Sequence, residues 1–152
     1  AKETMFVTVF YGVLDPLTAT LTYCNAGHNP PYFLGGGMDD VEELTRTGMA
    51  LGVLEGTEFT QETMRMDPGD ALVLYTDGVT DARDSGGRMF GEERLLEVAQ
   101  GAQGCTAGEV QDALLDEIHA FVGDAPRFDD ITLMVLAMEC APEVTELESA
   151  NA

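Results

Sequence analysis

Three segments of the chain are apolar on both of their alternating sets: residues 5–14 (MFVTVFYGVL), 71–75 (ALVLY) and 131–137 (ITLMVLA). Successive side chains of a strand point to opposite faces, so each of these segments needs cover on both sides. The turn signals "DPLT" (15–18) and "DPGD" (67–70) connect extended segments as hairpins would, which argues against a fully parallel sheet. Two packed sheets, each covered outside by helices, satisfy both facts. The expected class is therefore α+β, an α-β-β-α sandwich of two mainly antiparallel sheets. The chain offers one pair of helices, so the N-terminal strands and helices of such a sandwich are expected to be lacking here.

The remaining elements follow from periodicity. Residues 5–15 and 19–27 read as two strands around the first turn, 28–37 as a Pro-Pro break followed by a short strand and a glycine run, and 41–47 as a short exposed strand. "GMALGVLEG" (48–56) reads as a loop, and "FTQETMRM" (59–66) alternates like a strand with one wet face. The period then changes. "GEERLLEVAQG" (91–101) carries acids in its first turn and apolar residues at helical spacing. In "TAGEVQDALLDEIHAFVG" (106–123), Thr106 and Glu109 form a capping-box pattern. Val110, Ala113, Leu114, Ile118, Phe121 and Val122 line one face, and Gly123 is a C-terminal stop. Residues 129–138 supply a last strand. The domain is expected over 1–138, with 139–152 a flexible tail.

With 152 residues and 45% hydrophobic content the chain can bury a core as one domain. Its 28 acids against 7 bases give a formal charge of -21, which disfavours nucleic acid and anionic membrane surfaces. No apolar run reaches the roughly 18 residues of a membrane span. The first residues lack a signal-peptide pattern, and a chain starting on Ala inside a strand lead-in is expected to be a piece of something longer. Cys24, Cys105 and Cys140 have no metal-site spacing and make an odd number, so a reducing, cytoplasmic setting is expected. The eight methionines are expected to fill the core.

Acids cluster at strand ends. Asp77 follows the apolar strand 71–75, and Asp129 and Asp130 precede the strand at 131–137. If those strands are antiparallel neighbours, the acids meet at one sheet edge; parallel pairing would separate them. Gathered carboxylates repel, and a divalent cation relieves that repulsion. Magnesium and manganese suit such oxygen ligands. The plainer reading takes Asp77-Gly78 as a hairpin turn and Asp129-Asp130 as a strand flank. His28, in "NAGHNPP", could be a base, a ligand or a turn residue, the last being the common case. His119 lies among polar helix positions and is expected to face solvent. The chain has no EF-hand series, P-loop or G-x-S-x-G elbow.

Taken in series, "MFVTVFYGVLD", "YCNAGHNPPYFL", "GMALGV", "PGDALVLYTDGVTDARD" and "FDDITLMVL" resemble one family over about residues 5–138. They look like the C-terminal portion of bacterial PPM-type, or protein phosphatase 2C-like, serine phosphatases of the sporulation and stress-response (SpoIIE/RsbU-like) branch. The resemblance implies an α-β-β-α sandwich with a two-metal centre of manganese or magnesium. Metal-activated water would hydrolyse phosphoserine or phosphothreonine directly, without a phosphoenzyme. The substrate would be a phosphorylated regulatory protein, typically an anti-sigma-factor antagonist of the STAS type, and a sensor domain would lie upstream in the parent protein. By resemblance Asp77 and Asp129 are metal ligands. Asp130 occupies the second position of the closing acidic pair with its role open, and His28 belongs to the branch's "AGH" signature without an assigned role.

The departure is upstream. The family's first metal motif, of the form GD-[VIM]-x-G-[HK]-G, precedes the "MFVT" strand and supplies a bridging aspartate and a glycine carbonyl; nothing in these residues matches it. The expectation is a phosphatase whose metal site is incomplete in these residues, which alone would turn over poorly or not at all. The alternative is a non-catalytic, phosphatase-like module that binds a regulatory partner.

Overall fold

The computed structural model describes residues 5–36, 40–104, 106–126 and 129–139. Seven strands form two antiparallel sheets. The first holds β1 (Val9–Asp15), β2 (Thr20–Ala26) and β5 (Glu62–Arg65) in the order β1-β2-β5. The second holds β3 (Tyr32–Leu34), β4 (Val41–Glu43), β6 (Ala71–Tyr75) and β7 (Leu133–Ala137) in the order β4-β3-β6-β7. Three helices lie between β6 and β7 in sequence: α1 (Asp77–Thr80), α2 (Glu92–Gly101) and α3 (Ala107–Val122).

Alternation along the second sheet explains why its strands are apolar on both sets. Tyr32, Leu34, Ala71, Val73 and Tyr75 face α2 and α3, where they pack with Leu95, Ala99, Val110, Leu114 and Ile118. Phe33 and Leu72 point the other way and pack with Leu21, Tyr23, Leu44 and Met66 between the sheets. Val73, Leu34, Leu114 and Ile118 are fully buried. Each such side chain contributes about 1.5–3 kcal/mol relative to exposure. Two cores thus give three layers, sheet on sheet on helices. The helices cover the second sheet. On β1 the outward set stays open, with Tyr11 and Val13 exposed while Phe10 and Leu14 pack inward.

The expected capping box is present: the Thr106 hydroxyl accepts from the Glu109 amide, and the Glu109 carboxylate accepts from the Thr106 amide at 2.8 Å. Gly123 closes α3 at φ 54. Arg94 of α2 lies 4.5 Å from the Phe121 ring centroid and 3.9 Å from Glu117, tying the helices together. Three expectations are corrected. The exposed strand expected at 41–47 is only Val41–Glu43, and Leu44 just beyond it is buried because it closes the space between the sheets. The methionines divide: Met66 is buried, whereas Met5, Met49, Met89 and Met134 are exposed, so composition misjudged their placement. Residues 77–80 form a helical turn rather than a hairpin, because the chain leaves the sheet for the helical layer. Cys24 is a free thiol, while Cys105, Cys140 and the tail from 140 onward lie outside the described residues.

Candidate functional site

The site is built by the pairing of β6 with β7. Register runs antiparallel from Ala71↔Ala137 to Tyr75↔Leu133. One more rung continues it, for the Thr76 amide donates to the Thr132 carbonyl at 3.1 Å. In return the Thr132 amide donates to the Thr76 hydroxyl at 3.2 Å. The exit of β6 is therefore the entrance of β7. Asp77, the next residue out, comes to the same sheet edge as Asp130 and Asp129, more than fifty residues away in sequence. Antiparallel pairing is the condition on which that meeting depended.

Each acid is held by backbone geometry rather than by burial. Asp77 opens α1, and its carbonyl accepts from the Asp81 amide at 2.8 Å. The adjoining Gly78 is buried against the backbone of Asp130: a methyl carbon there would overlap the Asp130 carbonyl oxygen. Asp129 accepts the Asp130 amide on Oδ1 at 2.8 Å. All three carboxylates are solvent-exposed, so an ion can reach them. As a donor set they are hard oxygens on fixed strand ends, which fits magnesium or manganese. Among the described residues no three His, Cys, Asp or Glu side chains gather as a metal site.

Two cavities flank this edge. One, of about 370 Å³, lies on the helix side, where Leu115, Ile118 and Val122 meet Arg83, His119, Asp129 and Asp130. His119 is exposed, as expected, and stands on its rim. The other, of about 320 Å³, opens between the two sheets. Its walls are Val9 and Phe10 of β1, Leu74 and Tyr75 of β6, and Met134 of β7, with His28, Thr76 and Thr132.

His28 ends a tightly fastened turn. Asn25 is fully buried and uses both ends of its amide: Nδ2 donates to the Leu44 carbonyl at 3.0 Å, and Oδ1 accepts from the His28 amide at 2.9 Å. Its backbone joins Thr47, donating to the hydroxyl at 2.9 Å and accepting from the Thr47 amide at 3.0 Å. The His28 ring bonds the Asn29 carbonyl through Nδ1 at 2.9 Å. Sequence reasoning weighed His28 and took Gly78 for a hairpin glycine; Asn25, Thr76 and Thr132, which fix the site's shape, carried no signal without the fold.

The comparisons with known proteins agree with this architecture. The family model described as Stage II sporulation protein E (SpoIIE) matches residues 1–139. Protein IcfG of Synechocystis is 38% identical over 133 residues, covering 87% of this chain and 20% of that protein. Phosphoserine phosphatase RsbU of Bacillus subtilis is 29% identical over 137 residues, covering 87% of this chain and 39% of that protein. Among solved structures, the SiaA-PP2C domain of Pseudomonas aeruginosa superposes with a TM-score of 0.75 at 21% identity, covering 87% of this chain and 52% of that one. The chain thus spans two fifths or less of these curated relatives and about half of that solved domain. With the family model spanning nearly its whole length, the chain belongs to the SpoIIE family of PPM-type, protein phosphatase 2C-like bacterial phosphatases.

Proposed function

We propose that these residues form the C-terminal part of a metal-dependent protein phosphatase acting on phosphoserine or phosphothreonine of a regulatory protein, such as a STAS-type anti-sigma-factor antagonist. The observation that carries the reading is the β6–β7 pairing, which brings Asp77 beside Asp129 and Asp130 at one exposed edge. Within this reading Asp77 and Asp129 hold manganese or magnesium, with further ligands from the part of the family domain that lies upstream. Bound metal supplies an acidified water and neutralises phosphoryl charge. The chain's own residues position: ligands anchored on the ends of hydrogen-bonded strands hold their geometry better than ligands on free loops. The phosphoserine specificity is supported by the RsbU relative's activity. The strong negative charge of the chain favours a partner that is not itself strongly acidic. A cytoplasmic setting and an upstream sensor domain complete the reading.

A second reading, a non-catalytic module that binds a regulatory partner, is favoured by one observation: fewer than three ligands converge among the described residues. Manganese-dependent hydrolysis of a phosphoserine protein by the full-length protein separates the two. Activity abolished by Asp77→Asn and by Asp129→Asn is the expected result. Activity that survives both unchanged would sink the metal assignment, and no activity in the unaltered protein would favour the binding module.

A further inference from the structure

We propose that the helix-side cavity takes an apolar side chain of the substrate protein, one lying next to the phosphorylated serine or threonine, an inference that rests on the phosphatase reading above. Helix α3 carries more apolar surface than the core uses. Val110, Leu114 and Ile118 recur every four residues and are fully buried in the core beneath the second sheet. Leu115, Ile118 and Val122 make a second stripe at helical spacing, and that stripe lines the cavity. Leu115 is half-buried, and Ile131, just before β7, is 37% exposed. Both line the cavity, and among the described residues neither packs into either core. A concave aliphatic wall that the fold does not use for itself is a binding surface.

Position and charge select the occupant. Gly78, Asp129 and Asp130 line this cavity and also form the acid edge, so the two share a wall. A phosphorylated residue held at that edge carries its sequence neighbours past the cavity. The lining bears both signs, Arg83 as well as Asp129 and Asp130. A carboxylate or an ammonium that entered would lose its water and meet a like charge. An aliphatic or aromatic side chain meets Leu115, Val122 and Ile131 at no such cost. The volume, about 370 Å³, is small for a ligand pocket and suits a side chain rather than a docked helix.

The test reads a preference rather than a rate. The manganese-loaded full-length protein is given alanine-rich phosphoserine peptides, each with a single leucine at one of the positions flanking the phosphoserine. At one of those positions leucine is expected to raise kcat/KM roughly tenfold or more over alanine. Aspartate or lysine there should bring no gain. Leu115→Trp, which fills the cavity, should erase the preference and leave turnover of the all-alanine peptide and of p-nitrophenyl phosphate nearly unchanged, whereas Leu115→Ile should keep it. No preference at any position, or one that Leu115→Trp leaves intact, would overturn the proposal. If Leu115→Trp also loses p-nitrophenyl phosphate turnover, Leu115→Asn takes its place with the same two outcomes. No turnover of p-nitrophenyl phosphate by the unaltered protein removes the phosphatase reading and this inference with it; turnover without a preference sinks this inference alone. A second readout needs no turnover. The methyl resonances of Leu115 and Ile131 are expected to move on addition of a non-hydrolysable phosphonate version of the favoured leucine peptide, and not of its alanine counterpart. Methyls that stay still with both would mean that another part of the chain fills the cavity, and would overturn the proposal.

Discussion

Gly78 lies directly against the main chain of Asp130: a methyl carbon at Gly78 would come within 2.9 Å of the Asp130 carbonyl carbon and closer still to its oxygen. No left-handed dihedral is involved, since Gly78 sits in a helical turn; space alone requires glycine here. Gly78→Ala must therefore push the Asp129–Asp130 segment away from Asp77 or unwind α1. Manganese affinity is expected to fall at least tenfold although both carboxylates remain, read by calorimetric titration of the full-length protein. Unchanged affinity would show that the spacing of the two strand ends does not matter to the ion.

Asp70 is a buried carboxyl, 6% exposed, whose Oδ2 accepts the Asp67 amide at 2.7 Å. Desolvation pushes its pKa above the usual carboxylate value, opposed by that hydrogen bond and reinforced by the charges of Asp67 and Asp40. A raised folded-state pKa means that the native protein holds this proton more tightly than the unfolded chain. Its favourable contribution is present below the ordinary value near 3.8 and is lost as pH rises through the raised one. At neutral pH the charge is a liability. Asp70→Asn keeps an oxygen acceptor for Asp67 and removes the charge, so its melting temperature at pH 7 should exceed the parent's. The gain should vanish on acidification to about pH 3–4, as measured by thermal unfolding across pH.

Much of this layout was legible in the residues. The two-faced apolar strands demanded cover on both sides, and β6 has it, from β1 and β2 on one face and α2 and α3 on the other. Thr106, Glu109 and Gly123 marked the ends of α3 because caps are local chemistry. The meeting of Asp77 with Asp129 was legible only as a conditional, because strand pairing is a long-range choice that local pattern does not encode. Asp-Gly at 77–78 misled for the same reason. The dipeptide suits a hairpin, yet its glycine answers to Asp130, a residue brought there by the fold. Leu44 was read as exposed beside two glutamates, and only the closing of the sheets buried it.

Asn25 tests how rigidly the "NAGH" turn is held. Truncating it to alanine orphans the buried Leu44 carbonyl, at a cost of about 1–3 kcal/mol, and removes the acceptor of the part-buried His28 amide. Asn25→Asp should be no rescue, because a carboxylate facing the Leu44 carbonyl lacks the donor that the amide nitrogen supplied. Both variants are expected to lower the urea midpoint at unchanged slope. A neutral result for Asn25→Ala would mean that water replaces the amide in the turn.

Thr106 caps the helix whose Leu114 and Ile118 pack against the second sheet, so its loss reaches the core through α3. Thr106→Ala removes the hydroxyl that accepts the Glu109 amide and should cost about 1 kcal/mol. The Thr106 amide and hydroxyl, donating to the Glu109 carboxylate, hold its pKa below the usual value. That contribution is present above the unfolded-state value of 4.5 and is lost as pH falls through the lowered one. Thr106→Ala and Glu109→Gln should therefore be distinguishable by pH. Glu109→Gln should lose most of its deficit in acid, where the parent's carboxylate is protonated, while the Thr106→Ala deficit should persist in part because the missing hydroxyl acceptor does not titrate. Chemical unfolding of both variants at neutral and acidic pH measures the difference, and identical pH profiles would show that the two halves of the cap act as one unit.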